Sequence, residues 1–563
     1  MPFNMNKISL IILTSLLFAC QPATDAPTSL SHELHPAEAS DYWKNAIVYF
    51  LLTDRFYNGD STNDLAFERT KDGAVLRTFE GGDIKGITQK IKEGYFSNLG
   101  VNAIWMTPVF EQIKGSTDEG TGKTWAYHGY WTRDWTSLDP NFGTEEDLAE
   151  LVTTAHHNGI KILLDIIINH TGPVTDIDSQ WPDSWVRTKP KCVYTDYKTT
   201  VECTLVDNLP DIRTESDDPV DLPEFLRSKW NKEGRLETEL ARLDEFFANT
   251  EHPRASRFYI MKWITDWIRK YGIDGFRIDT AKHTEAYVWA ELKKLSEEAF
   301  EEWKKRNPEQ VMDDESFYMV GEVYNYFFES GRDFNYGDQS VDFFDYGFES
   351  LINFSFKGDA NKEYEELFTK YSNVLAAEGM SDISVLNYIS SHDDGQPFDK
   401  SRERTFESGT KLLLCPGGVQ VYYGDETARK LIIEGTEGDA TLRSNMNWSD
   451  LENDQSTGEL LSHWQKLGQF RNQHLSVGAG IHQMIQSEPY VFKRTLRNNS
   501  NSDEVVVGLD LPSGRKSLPV QDVFENGEKV MDYYSKQMIT IENQEAVLDS
   551  PFELVLLGRP SAE

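Results

Sequence analysis

Three carboxylates stand where short apolar runs end. GFRID closes on Arg277 and Asp279, FYMVGE on Glu322, and VLNYISSHD on His392 and Asp393. A fourth run, IKILLDIII, carries Asp165 and leads into Asn169 and His170. Such a set could cleave a glycosidic bond. That chemistry needs one carboxyl to protonate the leaving oxygen and one carboxylate facing the sugar carbon. A lone acid at a strand end is ordinarily a turn or cap residue. Four polar strand ends in chain order point further, because a β/α barrel gathers the C-terminal ends of its strands at one face.

The elements that would position these residues follow from periodicity. Strands are expected at 46–52, 103–106, 160–168, 275–278, 317–321, 341–345, 385–390 and 419–422. Amphipathic helices are expected at 84–99, 144–157, 256–271, 285–306, 362–378, 407–415 and 459–474. The run at 160–168 is continuously apolar, as a strand buried on both faces should be. Eight strand–helix repeats predict an α/β fold, a (β/α)8 TIM barrel. A doubly wound sheet is the competitor. Its first strand should lead into a Gly-rich turn, and FLLTDRFYNGD is not one. The stretch 171–254, between the third strand and its helix, is too long for a plain loop and reads as an inserted subdomain. After 476 the helical period stops. Short alternating runs such as YVFKRTL and EVVVGLDL predict a C-terminal antiparallel β domain, a sandwich over 476–563. The barrel then occupies 41–170 and 255–475.

The 563 residues include 56 basic and 93 acidic side chains, a formal net charge of −37. That balance repels phosphate backbones, so nucleic acid is not an expected partner. Lys7 precedes an apolar run over 8–19, the length of a secretory core and too short to span a bilayer. The run ends in Leu17-Phe18-Ala19-Cys20, similar to a bacterial lipobox with Cys20 as the lipidated residue; plain secretion is the alternative. One lipid chain anchors without spanning. A Pro-, Ala-, Ser- and Thr-rich tether fills the rest of 20–40. The protein is thus expected to be exported, as a periplasmic or outer-membrane lipoprotein, and monomeric. Four cysteines suit this reading. Cys192 and Cys203 lie close together in a polar stretch and could pair in an oxidising compartment, whereas Cys415 sits in an apolar run as a core thiol.

The segments DIIINH (165–170), GFRIDTAKH (275–283), GEVY (321–324) and SSHDD (390–394) resemble the four sequence signatures of the α-amylase family of glycoside hydrolases, family 13. YHGYW (127–131) and LPDI (209–212) resemble further family segments. The likeness runs through nearly the whole chain after the tether. NAIVYFLLTDRFYNGD and LPDIRTES most resemble the family's periplasmic members from enteric bacteria.

The resemblance implies a retaining, endo-type α-1,4-glucan hydrolase acting on starch, glycogen or maltooligosaccharides. It makes Asp279 the nucleophile, Glu322 the acid/base and Asp393 the stabiliser of the transition state. Arg277 would keep Asp279 ionised, and Asp165 would pair with Arg277. Glu322 must hold a proton at working pH, so its site should raise its pKa. Tyr130 would stack on the sugar, His170 and His392 would bind its hydroxyls, and Lys282 and His283 would meet the leaving side. Calcium is implied at Asn169, Asp211 and the carbonyl of His283. A second calcium loop is implied at Asn58, Asp60, Asn63, Asp64, Gly81 and Asp83; an ordinary Asn/Asp/Gly turn is the plain alternative. Cyclomaltodextrinase or transglycosylase activity, and a non-catalytic glucan-binding lipoprotein, are the competing functions.

Overall fold

The computed structural model describes residues 35–118 and 120–560. Eight short parallel strands close into a barrel in chain order: β1 (Ile47–Leu51), β2 (Ala103–Met106), β3 (Lys161–Ile166), β4 (Gly275–Ile278), β5 (Tyr318–Gly321), β6 (Ser350–Asn353), β7 (Ser384–Tyr388) and β8 (Gly418–Tyr422). β1 pairs with both β2 and β8, aligning Val48 with Ala103 and Ile47 with Val419, so the sheet has no open edge. All eight strands are buried along their whole length. Inward side chains fill the barrel and outward ones meet helices, which is why these runs lack polar alternation.

Helices α1 (Ile84–Lys92), α2 (Glu145–His157), α3 (Ser256–Tyr271), α4 (Ala286–Arg306), α5 (Tyr364–Leu375), α6 (Thr405–Leu413) and α7 (Gln455–Gln473) lie between and after the strands. Their ends are written in the sequence. The Thr144 hydroxyl accepts the Asp147 N–H while Asp147 accepts the Thr144 N–H, a capping box that starts α2. Gly272, at φ 75°, ends α3 in the left-handed conformation that a glycine adopts without strain.

Two sequence expectations need correction. The helix expected over 84–99 breaks at Gly94, φ 78°, into α1 and the short helix Tyr95–Asn98. The sixth barrel strand is β6, not 341–345. Ser340–Asp342 instead pairs antiparallel with Asp333–Asn335 in a two-stranded hairpin, and Phe343–Asp345 is a 3-10 turn that buries Phe343 and Phe344. The run VDFFD thus marks a hairpin strand and an aromatic anchor, while the true strand, SLIN, has only two apolar residues between the polar Ser350 and Asn353.

The chain between β3 and α3 folds into helices Glu224–Lys232 and Leu236–Thr250 and a small ladder pairing Val186–Arg187 with Asp211–Ile212. A disulfide joins Cys192 to Cys203, with Cα atoms 5.0 Å apart, and Cys415 is a buried free thiol. A bridge between His170 and Asp211 ties this segment to the end of β3.

Under the barrel, helix Asp41–Asn45 closes the floor, with Trp43 stacked on Tyr318 of β5 at 3.6 Å. Just before it, the His35 and Ala39 amides donate to the Asp345 and Asp382 carbonyls, in the loops leading into β6 and β7. Beyond α7 lies a six-stranded antiparallel sheet that begins with Ile481–Gln486. A two-stranded antiparallel sheet of Gly514–Pro519 and Glu545–Ser550 packs beside it, and the two share a separate core that includes Val491, Val506, Leu518 and Leu548. The signal run at 1–19, Cys20 and most of the tether lie outside the described residues. Among the described residues, no helix is long and apolar enough to cross a membrane.

Candidate active site

At the C-terminal ends of the strands, one guanidinium organises three carboxylates. Arg277 of β4 is fully buried. Its Nη1 lies 2.9 and 3.1 Å from the two oxygens of Asp165 on β3 and 2.7 Å from Asp279 Oδ1. Its Nη2 lies 3.1 Å from Glu322 Oε2, just past β5. Strand register sets this up: Arg277 aligns with Asp165, and the side chains two apart on β4 share a face. Because Nη1 and Nη2 share one carbon, those Asp279 and Glu322 oxygens are no more than about 8 Å apart, close enough to meet at one sugar bond.

One cation cannot neutralise three buried carboxylates, so the cluster holds at least one proton. Burial raises both Asp165 and Glu322, and the charge of Asp279 pushes each further. Hydrogen bonds decide between them. Asp165 accepts from Arg277, from Trp105 Nε1 at 3.0 Å and from the Tyr130 hydroxyl at 2.9 Å, a donor set that favours its charged form. Glu322 accepts one backbone amide, from Thr280 at 2.9 Å, and the contact with Arg277. The proton therefore sits on Glu322, whose pKa is pushed up to about 8.

Thr280 was not a sequence candidate. It has φ 50°, the left-handed region, which costs a β-branched residue on the order of 1 kcal/mol or more. This turn sends the chain away from β4 immediately after Asp279 and aims the Thr280 N–H at Glu322.

The rest of the sequence-picked residues divide into two groups. Tyr130, His170, Asp279, His392 and Asp393 line one cleft of about 920 Å³. Tyr130 stacks on His392 with ring centres 5.2 Å apart. Gly129, at φ 89°, makes the turn that presents Tyr130; a Cβ there would lie 2.2 Å from the Pro108 carbonyl oxygen. His170 and His392 are buried, and desolvation lowers both pKa values, so the rings are neutral hydrogen-bonding groups. Asp393 keeps about 35% of its side chain open to the cleft. Lys282 and His283 do not line this cleft. They sit in the turn after Asp279, where Lys282 Nζ donates to the Tyr324 carbonyl at 3.0 Å and His283 Nδ1 lies 2.9 Å from the Thr200 carbonyl.

Sequence reasoning also missed Arg443 and Asp439. Both line the cleft and form an ion pair, and Arg443 Nε donates to the His392 carbonyl at 2.9 Å. They lie on a 3-10 segment, Gly438–Arg443, outside any strand end. Their spacing of four, one basic and one acidic, was the only signal available.

Among the described residues, no group of three or more His, Cys, Asp or Glu side chains is placed to hold a metal. At the first calcium position, donors of other types do converge. The Asn169 amide nitrogen donates to Asp211 Oδ1 at 2.9 Å and to the His283 carbonyl at 3.0 Å, while Asp211 Oδ2, which makes no hydrogen bond, lies 2.8 Å from the Arg187 guanidinium. A carboxylate, an amide and a carbonyl are donors that a hard cation takes, so these residues fit calcium in kind. The second loop is largely held by its own bonds. Asp83 accepts the amides of Gly59, Asp60 and Gly86, Asn58 donates to Asp64, Asp60 pairs with Lys85, and Gly81 packs against the Asn58 and Asp64 side chains. Asn63 Oδ1 is its buried orphan.

A glutamate whose pKa burial raises and an arginine-held aspartate at the mouth of a β/α barrel are the pair of carboxyl groups that glycoside hydrolysis needs. Comparison with known proteins makes the class specific. Residues 50–480 match the α-amylase catalytic domain. The chain is 36% identical over 499 residues to the periplasmic α-amylase of Escherichia coli (strain K12), covering 78% of this chain and 68% of that protein. It is 26% identical over 549 residues to α-amylase 1 of Schwanniomyces occidentalis, covering 95% and 91%. Among solved structures, the Geobacillus thermoleovorans α-amylase complexed with acarbose shares the fold, with a TM-score of 0.62 at 21% identity over 92% of this chain and 99% of that one. The chain belongs to the α-amylase family of glycoside hydrolases.

Proposed function

We propose that this enzyme is an exported α-amylase that cuts internal α-1,4 bonds of starch, glycogen or maltooligosaccharides with retention of configuration. One observation carries the reading: Arg277 holds Asp279 and Glu322 together while burial keeps the proton on Glu322. Asp279 attacks the anomeric carbon and forms a covalent glycosyl-enzyme. Glu322 gives its proton to the departing oxygen, then takes one from the water that hydrolyses the intermediate. Asp393, open to the cleft, faces the positive charge of the transition state. Tyr130 stacks on the sugar, and the neutral His170 and His392 bind its hydroxyls.

Asn169, Asp211 and the His283 carbonyl would hold calcium, which would cross-link the barrel to the inserted segment 171–254. Bound calcium after dialysis and a melting temperature lowered by chelator are expected; no bound calcium together with no chelator effect would remove the support for the site. Cys20 is the proposed lipid attachment point, in keeping with export of the Escherichia coli relative; labelling with a radioactive fatty acid, lost in Cys20→Ser, tests it.

Separation of maltoheptaose products tests the activity. Shorter linear sugars, first released in the α configuration, are expected. Asp279→Asn should lower the turnover about 10⁴-fold with the fold intact. Longer or cyclic products would favour the transglycosylase reading, and near-normal turnover by Asp279→Asn would remove the assignment.

A further inference from the structure

Asp393 stands in a long loop, and one carboxylate oxygen pins that loop at both ends. The chain from Ile389 to Arg404 joins β7 to α6 with no strand or helix of its own. Asp393, near its start, lines the cleft together with Asp279. Burial raises the Glu322 pKa, and the charges of Asp279 and Asp393 push it further, so Asp393 lies within the field of the reacting pair. Asp425 stands just past β8, behind the cleft lining, with its side chain fully buried. Its Oδ1 accepts the Ser390 hydroxyl at 2.6 Å, three residues before Asp393. The same oxygen lies 2.8 Å from Arg402 Nη2, at the far end of the loop. Arg402 reaches it from a backbone at φ 62°, the left-handed region that a residue with a side chain rarely adopts. Its Nε also donates to the Arg429 carbonyl at 2.8 Å, which ties the end of the loop to the turn after β8 a second time. The middle of the loop has other supports. Arg443 donates to the His392 carbonyl, and Asp394 accepts the Tyr388 hydroxyl at 2.6 Å and pairs with Lys357.

We propose that Asp425 is a positioning residue for Asp393, clamping the start and the end of the β7–α6 loop so that the Asp393 carboxylate keeps its place in the cleft. The inference rests on the hydrolase reading above, in which Asp393 faces the positive charge of the transition state. A group that acts only in the transition state shows its displacement in kcat, with KM unmoved. A displacement on the order of 1 Å can cost about 10²-fold, and the supports in the middle of the loop should hold the loss to about 10-fold.

The test places Asp425→Asn and Ser390→Ala separately in the wild-type chain and in an Asp393→Asn chain. Asn keeps the shape of the side chain and removes the charge that faces Arg402, and Ala removes the hydroxyl at the other end. Rates are read in both chains on a nitrophenyl maltotrioside, whose good leaving group keeps the slow variants measurable. Maltoheptaose supplies kcat and KM in the wild-type chain. There, Asp425→Asn should lower kcat about 10-fold and Ser390→Ala about 3-fold, with KM within about 2-fold. In the Asp393→Asn chain either change should cost less than about 2-fold more, because the positioned group is already gone. Equal losses in both chains, or a folded Asp425→Asn with a lowered melting temperature and unchanged kcat, would overturn the proposal. If Asp425→Asn does not fold, the same comparison with Ser390→Ala decides. Full activity in both variants beside a crippled Asp393→Asn would sink the clamp and leave the hydrolase reading standing. Near-normal turnover in Asp393→Asn would strike the role of Asp393 in that reading, and the proposal with it.

Discussion

Two buried arginines sit at opposite ends of the barrel and do different work. Arg277, at the mouth, faces Asp165, Asp279 and Glu322, and its pKa is raised well above the usual value by those charges despite burial. Arg471, on α7 by the floor, pairs with no carboxylate among the described residues. It donates to the carbonyls of Asn45, Leu413, Cys415 and Gly417, and burial lowers its pKa to about 9. Leu413 ends α6 and Gly417 leads into β8, so Arg471 satisfies carbonyls that α6 and the following turn leave without partners. The same side chain organises charge for chemistry at one end and satisfies backbone at the other. Burial alone does not mark a functional arginine; the company of acids does.

Substituting both arginines in turn would sharpen the contrast. Arg277→Met should lower kcat/KM by about 10³-fold or more, because Asp279 and Glu322 lose their common anchor. The freed carboxyls can take up protons, so its melting temperature should fall less than that of the other variant. Arg471→Met should keep kcat and lose about 3–5 kcal/mol of stability, as four buried carbonyls lose their donor. Denaturant melts and initial rates on maltoheptaose measure both. A stable but inactive Arg471→Met would break the division of labour.

The smallest effect is in pH. Glu322 acts as an acid, so the active form is the protonated one. Its pKa is raised, so the proton is present at neutral pH and is lost as pH rises through about 8. Hydrolysis should therefore fall about 10-fold per pH unit beyond that point. A flat rate profile between pH 7 and 10 would remove the assignment of the proton to Glu322.

Much of the mouth was legible in the sequence, and little of its wiring was. IKILLDIII reads as a strand because both of its faces are buried, and GFRID reads as a strand end because Arg277 and Asp279 share one face. SLIN has only two apolar residues between the polar Ser350 and Asn353, so the sixth strand does not stand out as an apolar run. The Arg443–Asp439 pair lies on a turn, where no periodic rule applies. Thr280 is an ordinary threonine until its backbone angle is known. Residue types announce which groups can react; the angles and partners that tune them come from tertiary packing.

The helix that seals the barrel floor carries a practical consequence. The chain ahead of it runs along the rim beneath β6 and β7, on the side away from the cleft. A bead, sensor surface or fused partner joined at His35 would connect under the base of the molecule. The mouth would then stay turned toward bulk liquid, where a long branched polymer could still reach it.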